Sequence, residues 1–162
     1  MLPFRGRPMA LFLADEYAAL GGVAFSVDRK GRFPVETYGE FPDQYPGQGP
    51  LNGIVSGFSA SSEEVLFLTA TDMPLGTAET AKLMIDRLGE HDACLFPGEP
   101  LFGAYRRSCF PVAEECLRAG ERSMRAFLSR LDVLYLEPSD RRVLTNLNTP
   151  EEFRSAADIK PV

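Results

Sequence analysis

The sequence predicts an α/β domain whose mostly parallel sheet is covered by helices on both sides. Two observations carry that prediction. Short apolar runs alternate with segments of helical spacing along the whole chain. One run, Val65–Leu68, is apolar at consecutive positions, as a strand covered on both faces would be. In such folds ligands sit beyond the carboxyl ends of the strands.

The elements follow in order. Met9–Leu20 reads as a helix stopped by Gly21-Gly22, and Val23–Val27 as a short strand closed by a turn at Asp28–Gly31. Between Phe33 and Pro50 stand prolines 34, 42, 46 and 50, which predict an irregular ordered loop with at most one short strand, a type that often carries function. Leu51–Ala60 reads as a helix, Glu64–Ala70 as a buried strand and Thr77–Leu88 as a helix. Strands are expected at Ala93–Phe96 and Leu101–Arg106, then helices at Phe110–Arg118, ended by Gly120, and at Ser123–Leu131, capped by Ser123. Val133–Leu136 and Val143–Thr145 read as strands. Asn148–Glu152 opens a last helix, with proline in its first turn and acidic groups at its positive end.

The 162 residues, 44% hydrophobic and 25% charged, suit one globular domain spanning residues 1–162 and argue against disorder. Seventeen basic against 23 acidic residues leave a charge of −6, which argues against nucleic acid or an anionic membrane as partner. The apolar runs are far shorter than the ~20 residues a membrane helix needs. Cysteines 94, 109 and 116 form no C-x-x-C pair and follow no secretory segment, so the expectation is a cytoplasmic protein without a disulfide framework.

Asp72 stands at the end of an apolar strand, where magnesium and phosphate ligands collect in nucleotide-binding α/β folds; alternatively it makes an Asx turn before Met73-Pro74. Gly49-Pro50-Leu51-Asn52-Gly53 precedes a helix, where free N–H groups receive an anion or a base edge, or it is a proline-rich turn and no more. Asp43 is a site residue or a solvated loop residue. Asn146 and Asn148 share one side of an extended segment, although Asn148 or Thr149 also suits a helix cap. Arg106, Arg107, Arg118, Arg122, Arg125 and Arg130 suit bidentate phosphate contacts, or solvated helix faces. The single histidine, His91, reads as a surface residue and Cys109 and Cys116 as core, so zinc catalysis has no ligand set.

Taken together, the blocks Leu2–Met9, Pro42–Gly47 with Gly49–Gly53, Val65–Pro74, Pro100–Ser108, Ala119–Ser123 and Asn146–Glu152 resemble the molybdenum cofactor guanylyltransferase family, also called molybdopterin-guanine dinucleotide biosynthesis protein A. The resemblance spans essentially the whole chain. It implies a three-layer, Rossmann-like nucleotidyltransferase fold and a magnesium-dependent transfer of GMP from GTP to molybdopterin, with release of pyrophosphate. It makes Asp72 the catalytic magnesium ligand and a nucleotide contact, and it places Asp43, Gly49, Pro50, Leu51 and Gly53 in the guanine nucleotide site. Asn146 and Asn148 fall to the pterin, with Arg106 and Arg122 as contacts to its phosphate. Proteins of cofactor assembly would be the partners. Such chemistry asks for positioning and charge neutralisation and needs no histidine or cysteine nucleophile.

The family pattern begins with a central strand and a glycine-rich loop carrying an arginine and a lysine, on the order of 20 residues, ahead of the block that starts here at Leu2. The sheet is therefore expected without its first central strand. A fragment, a start assigned too late and a degenerate relative are the competing explanations, and the retained Asp43, Asp72 and Asn146 favour the first two. Two other functions stay open: a non-catalytic nucleotide- or pterin-binding partner, and a cytidylyltransferase of the same fold. Asn52 and Glu152 stand where the family commonly has alanine and aspartate.

Overall fold

The computed structural model describes residues 3–4, 6–28, 31, 38–147 and 149–157. In chain order its elements are β1 (Pro3–Phe4), β2 (Arg7–Pro8), α1 (Met9–Tyr17), β3 (Ala24–Val27), β4 (Gly39–Pro42), α2 (Leu51–Ala60), β5 (Val65–Thr69), α3 (Ala78–Arg87), β6 (Ala93–Phe96) and β7 (Glu99–Arg106). They continue with α4 (Phe110–Arg118), α5 (Met124–Leu128), β8 (Val133–Tyr135) and α6 (Pro150–Ala157). Helix α1 runs on into a 3-10 turn at Ala18–Leu20. No helix among the described residues is long and apolar enough to cross a membrane.

The main sheet has the order β5-β7-β6-β8. Strands β5, β6 and β8 run one way and β7 runs against them, pairing antiparallel with both β5 and β6. Three residue pairs join β6 to β8 in parallel register, with Ala93 opposite Val133 and Leu95 opposite Tyr135 marking its ends. Strands β3 and β4 form a separate parallel pair, also consistent with the expected direction.

Alternation along the strands feeds two cores, one on each face. On one side Cys94, Phe96, Phe102 and Ala104 pack with Leu13, Tyr17, Met84 and Leu88 of the α1 and α3 layer. On the other, Leu95 and Tyr105 pack with Leu51, Val55, Phe58, Cys116 and Phe127 of α2, α4 and α5. Gly103 lies on this second face, where an added Cβ would stand 2.2 Å from Leu95 Cδ2 and 3.0 Å from the Cys94 carbonyl oxygen. Burial pushes the Cys94 thiol up to about 11 and the Cys109 thiol up to about 12, so both stay neutral core groups; Cys109 and Cys116 are buried as expected.

Two expectations fail. Val143–Thr145 is not a strand: Arg141–Leu144 forms a 3-10 turn, because the Asp140 carboxylate accepts the Arg142 N–H at 2.8 Å and the Thr145 N–H closes on the Arg142 carbonyl at 3.0 Å. Strand β5 is half-buried at all five residues instead of fully buried. Among the described residues it has one strand neighbour, β7, and its other edge carries no ladder; β3 likewise pairs only with β4.

Other boundaries follow their local signals. Thr77 Oγ1 accepts the Thr80 N–H at 3.2 Å and starts α3, and Ser123 Oγ accepts the Ala126 N–H at 3.2 Å and starts α5. Thr149 and Glu152 form a reciprocal capping box at 3.2 and 2.9 Å, which makes Thr149 the cap of α6.

Candidate functional site

The carboxyl ends of β5, β6 and β8 and the start of β7 lie along one edge of the sheet. Two clefts open there. The first, about 310 Å³, is lined by Ser26, Asp43, Gly49, Pro50, Asn52, Gly53, Leu68–Thr71 and Leu101. The second, about 430 Å³, is lined by Leu95, Phe96, Gly98–Pro100, Arg125, Leu128, Ser129 and Tyr135. They meet at consecutive residues, Pro100 on one rim and Leu101 on the other.

The first cleft is built around the loop from Asp43 to Pro50. The Asp43 N–H continues the β3 ladder to the Val27 carbonyl at 2.8 Å, and its carboxylate accepts the Ser26 hydroxyl at 2.5 Å. Helix α2 holds the next two residues: the Gln44 N–H meets Ser56 Oγ and the Tyr45 N–H meets Asn52 Oδ1, each at 2.8 Å. Asn52 and Ser56 are only 2% and 3% exposed, so two buried polar side chains of an otherwise apolar helix are devoted to shaping this loop. On its outer side Tyr45 faces Arg118, and Tyr45 and then Glu114 hold that guanidinium's pKa above its usual value. Gly49 has φ +75°, a backbone state that a side chain would strain, and the loop turns there into α2.

Asp43, Gly49, Pro50 and Gly53 therefore converge as expected, but Leu51 does not line the cleft. It is fully buried in the core beneath the loop, because the first turn of α2 points that side chain at the sheet. The helix start is also less open than expected: the N–H groups of Asn52 and Gly53 already reach the carbonyls of Gly49 and Pro50 at 3.2 and 2.9 Å.

Asp72 follows directly on Thr71, the end of the first cleft's rim. Its carboxylate Oδ1 is buried with no hydrogen-bond partner. The antiparallel register, Thr69 opposite Phe102 and the Ala70 N–H bonded to the Leu101 carbonyl at 3.0 Å, carries the chain toward Glu99 on the facing strand. Burial, and then the charge of Asp72, hold the Glu99 carboxyl above its usual pKa. Asp72 lines neither cleft itself but stands between them, next in the chain to Thr71 of the first and within electrostatic reach of Glu99 in the second. Its carbonyl accepts the Leu147 N–H at 2.8 Å, which ties exposed Asn146 to the same corner.

Asn148 lies outside the described residues. Arg106 is a correction: β7 runs against its neighbours, so Arg106 pairs opposite Val65 at the far end of the sheet and donates to the Gly89 carbonyl. Arg122 is exposed in the link between α4 and α5 and lines neither cleft. The cation that does line the second cleft is Arg125, one helical turn from Ser129 on its wall. Sequence reasoning missed Ser26, Ser56, Glu99 and Tyr135, and read Asn52 as part of the Gly49–Gly53 stretch. Only the i, i+4 spacing of Asn52 and Ser56, two polar residues on one face of an apolar helix, offered a signal.

Comparison with known proteins places these features in context. The family description "MobA-like NTP transferase domain" matches residues 1–134. The chain is 30% identical over 130 residues to a probable molybdenum cofactor guanylyltransferase of Carboxydothermus hydrogenoformans, covering 74% of this chain and 66% of that one. It is 34% identical over 113 residues to the molybdenum cofactor guanylyltransferase of Pseudomonas putida, covering 65% and 59%. The chain therefore spans under two thirds of these relatives' own length. Among solved structures, molybdopterin-guanine dinucleotide biosynthesis protein A from Archaeoglobus fulgidus superposes with a TM-score of 0.80 at 19% identity, over 97% of this chain and 87% of that one. The 2-C-methyl-D-erythritol 4-phosphate cytidylyltransferase of Thermus thermophilus gives 0.76 at 10% identity, over 96% and 90%. At these identities the superpositions show a shared α/β nucleotidyltransferase fold.

Proposed function

We propose that this chain, which belongs to the family of MobA-like NTP transferase domains, transfers GMP from GTP to the terminal phosphate of molybdopterin. An oxygen of that phosphate attacks the α-phosphorus of GTP, the bond to the β-phosphate breaks, and pyrophosphate leaves. The names of its relatives in Carboxydothermus and Pseudomonas support the substrates. The observation that carries the reading is the position of Asp72, an unpartnered carboxylate between the two clefts.

In this reading the first cleft takes the nucleotide. Asp43, Gly49, Pro50 and Gly53 surround the base and ribose, and the hydrogen bonds from Asn52 and Ser56 keep their loop in one shape before the ligand arrives. The second cleft takes the acceptor, with Tyr135, 52% exposed, offering an aromatic face and Arg125 a cation. Asn146 lies beside the reacting phosphates. With Asp72 between them, the two substrates meet end to end, so that positioning supplies much of the rate.

The residues fit magnesium. A hard cation seeks carboxylate oxygen, and Asp72 Oδ1 is a buried oxygen without any donor among the described residues. Asp72 would hold the ion, which neutralises charge on the phosphates during transfer. The chain's own part is to fix the Asp72 backbone, through the Leu147 N–H on its carbonyl and the turn after β5.

The test is pyrophosphate release from GTP by the full chain, with and without molybdopterin and magnesium. The reading requires release that depends on both. Release without molybdopterin, or none with all three present, contradicts it.

A further inference from the structure

Asn52, the second residue of α2, is 2% exposed and forms part of the wall of the first cleft. Its Oδ1 accepts twice, from the Tyr45 N–H at 2.8 Å and from the Ser56 hydroxyl at 3.1 Å. A backbone N–H can be met only by an acceptor, so the orientation of the amide is fixed: the oxygen faces the loop and Nδ2 faces elsewhere. Among the described residues Nδ2 has no hydrogen-bond partner, and it is not among the side-chain nitrogens sealed from solvent. A side chain buried in almost every other respect thus presents two N–H donors at the cleft wall. Buried donors are costly to leave unmet, and here the described residues supply no acceptor.

We propose that Asn52 is a specificity-determining residue that selects a 6-oxopurine nucleotide over adenine and cytosine nucleotides. The major-groove edge of guanine offers two acceptors, O6 and N7, whereas adenine pairs its N7 with an amino donor and cytosine presents an amino donor. An asparagine free to use both its oxygen and its nitrogen reads adenine well. Asn52 is not free to do so, because Tyr45 and Ser56 occupy its oxygen, and the donors that remain match acceptors only. The sequence alone left guanine against cytosine open, and the two donors of this amide bear on that choice. Assigning it that role presupposes that the cleft holds a nucleotide, as proposed above.

The test is calorimetric titration of the full chain with GTP, ITP, ATP and CTP in magnesium. GTP and ITP, which share the 6-oxo edge, are expected to bind at least about tenfold more tightly than ATP and CTP. Asn52→Asp keeps an acceptor for the Tyr45 N–H and removes both donors, so the preference for GTP and ITP should fall by about tenfold or more, with ATP affected less. In the unmodified chain, the Asn52 side-chain amide resonances should shift with GTP and ITP and stay in place with ATP and CTP, a readout that needs no variant to fold. Equal binding of the four nucleotides, an unchanged ranking in a folded Asn52→Asp, or amide resonances indifferent to GTP overturns the assignment while the nucleotide reading survives. A chain that binds none of the four overturns both.

Discussion

The two ends of the sheet treat their charged groups in opposite ways. At the end where β5 starts, the chain uses them on itself. Arg107 donates to the carbonyls of Phe58, Ser61 and Glu63 at 3.1, 2.8 and 2.9 Å and stacks on the Phe58 ring 5.0 Å away, closing the end of α2. Asp92 takes the Ser108 hydroxyl and the Asp132 N–H, and Asp132 in turn pairs with His91 at 2.9 Å. Ser61 Oγ and Arg106 Nε are the buried polar side-chain atoms left without a partner there among the described residues. At the carboxyl end Asp72, Glu99 and Arg125 stand beside two clefts, and no hydrogen bond or ion pair from their side chains is met by the described residues. The difference separates groups that build the fold from groups that the described residues leave unpaired beside the clefts.

The contrast makes opposite demands on substitutions at the two ends. Asp72→Asn is expected to lower GMP transfer on the order of a hundredfold or more, through lost charge stabilisation at the transferring phosphate, and to leave thermal unfolding nearly unchanged. A large drop in Tm would make Asp72 a structural residue like those at the far end. Arg107→Ala should do the reverse, costing about 2–4 kcal/mol through three orphaned carbonyls and a lost ring contact. Denaturant unfolding measures it, and nucleotide affinity of the folded fraction should not move.

Smaller effects sharpen the same division. Gly103→Ala forces a methyl against Leu95 and the Cys94 carbonyl, where backbone cannot give way, and should cost about 1–3 kcal/mol in the same unfolding measurement. Cys94 and Cys109 have folded pKa values raised to about 11 and about 12 from 9. Their contribution is therefore fully present below about pH 9 and is lost as pH climbs through 11 and 12; Tm followed from pH 8 upward should fall in that window. The smallest effect belongs to His91→Ala, whose pair with Asp132 is exposed on both sides: below about 0.5 kcal/mol.

Much of this layout was legible in the sequence. Helices α2 and α4 fall at the residues their apolar spacing marks, α2 opening directly after Gly49-Pro50 and α4 closing just before Gly120. Asp72 was legible because a carboxylate directly after an apolar strand stands out against its neighbours. The direction of β7 was not, and with it the place of Arg106, because pairing partners far along the chain decide which end of the sheet a strand's last residue reaches. Val143–Leu144 carried a strand's composition, yet the nearby Asp140 side chain captured the backbone first. Asn52 stood out only as a departure from the family's alanine, since an amide in a mostly apolar helix says nothing about which of its two ends is already occupied.

The most direct measurement of the division is the set of backbone amide resonances that move when magnesium-GTP is added to the ¹⁵N-labelled chain. Shifts confined to residues 43–53 and 69–72, with residues 89–92 and 106–108 still, are the predicted result. Shifts centred on the far end, or spread evenly over both, would contradict it.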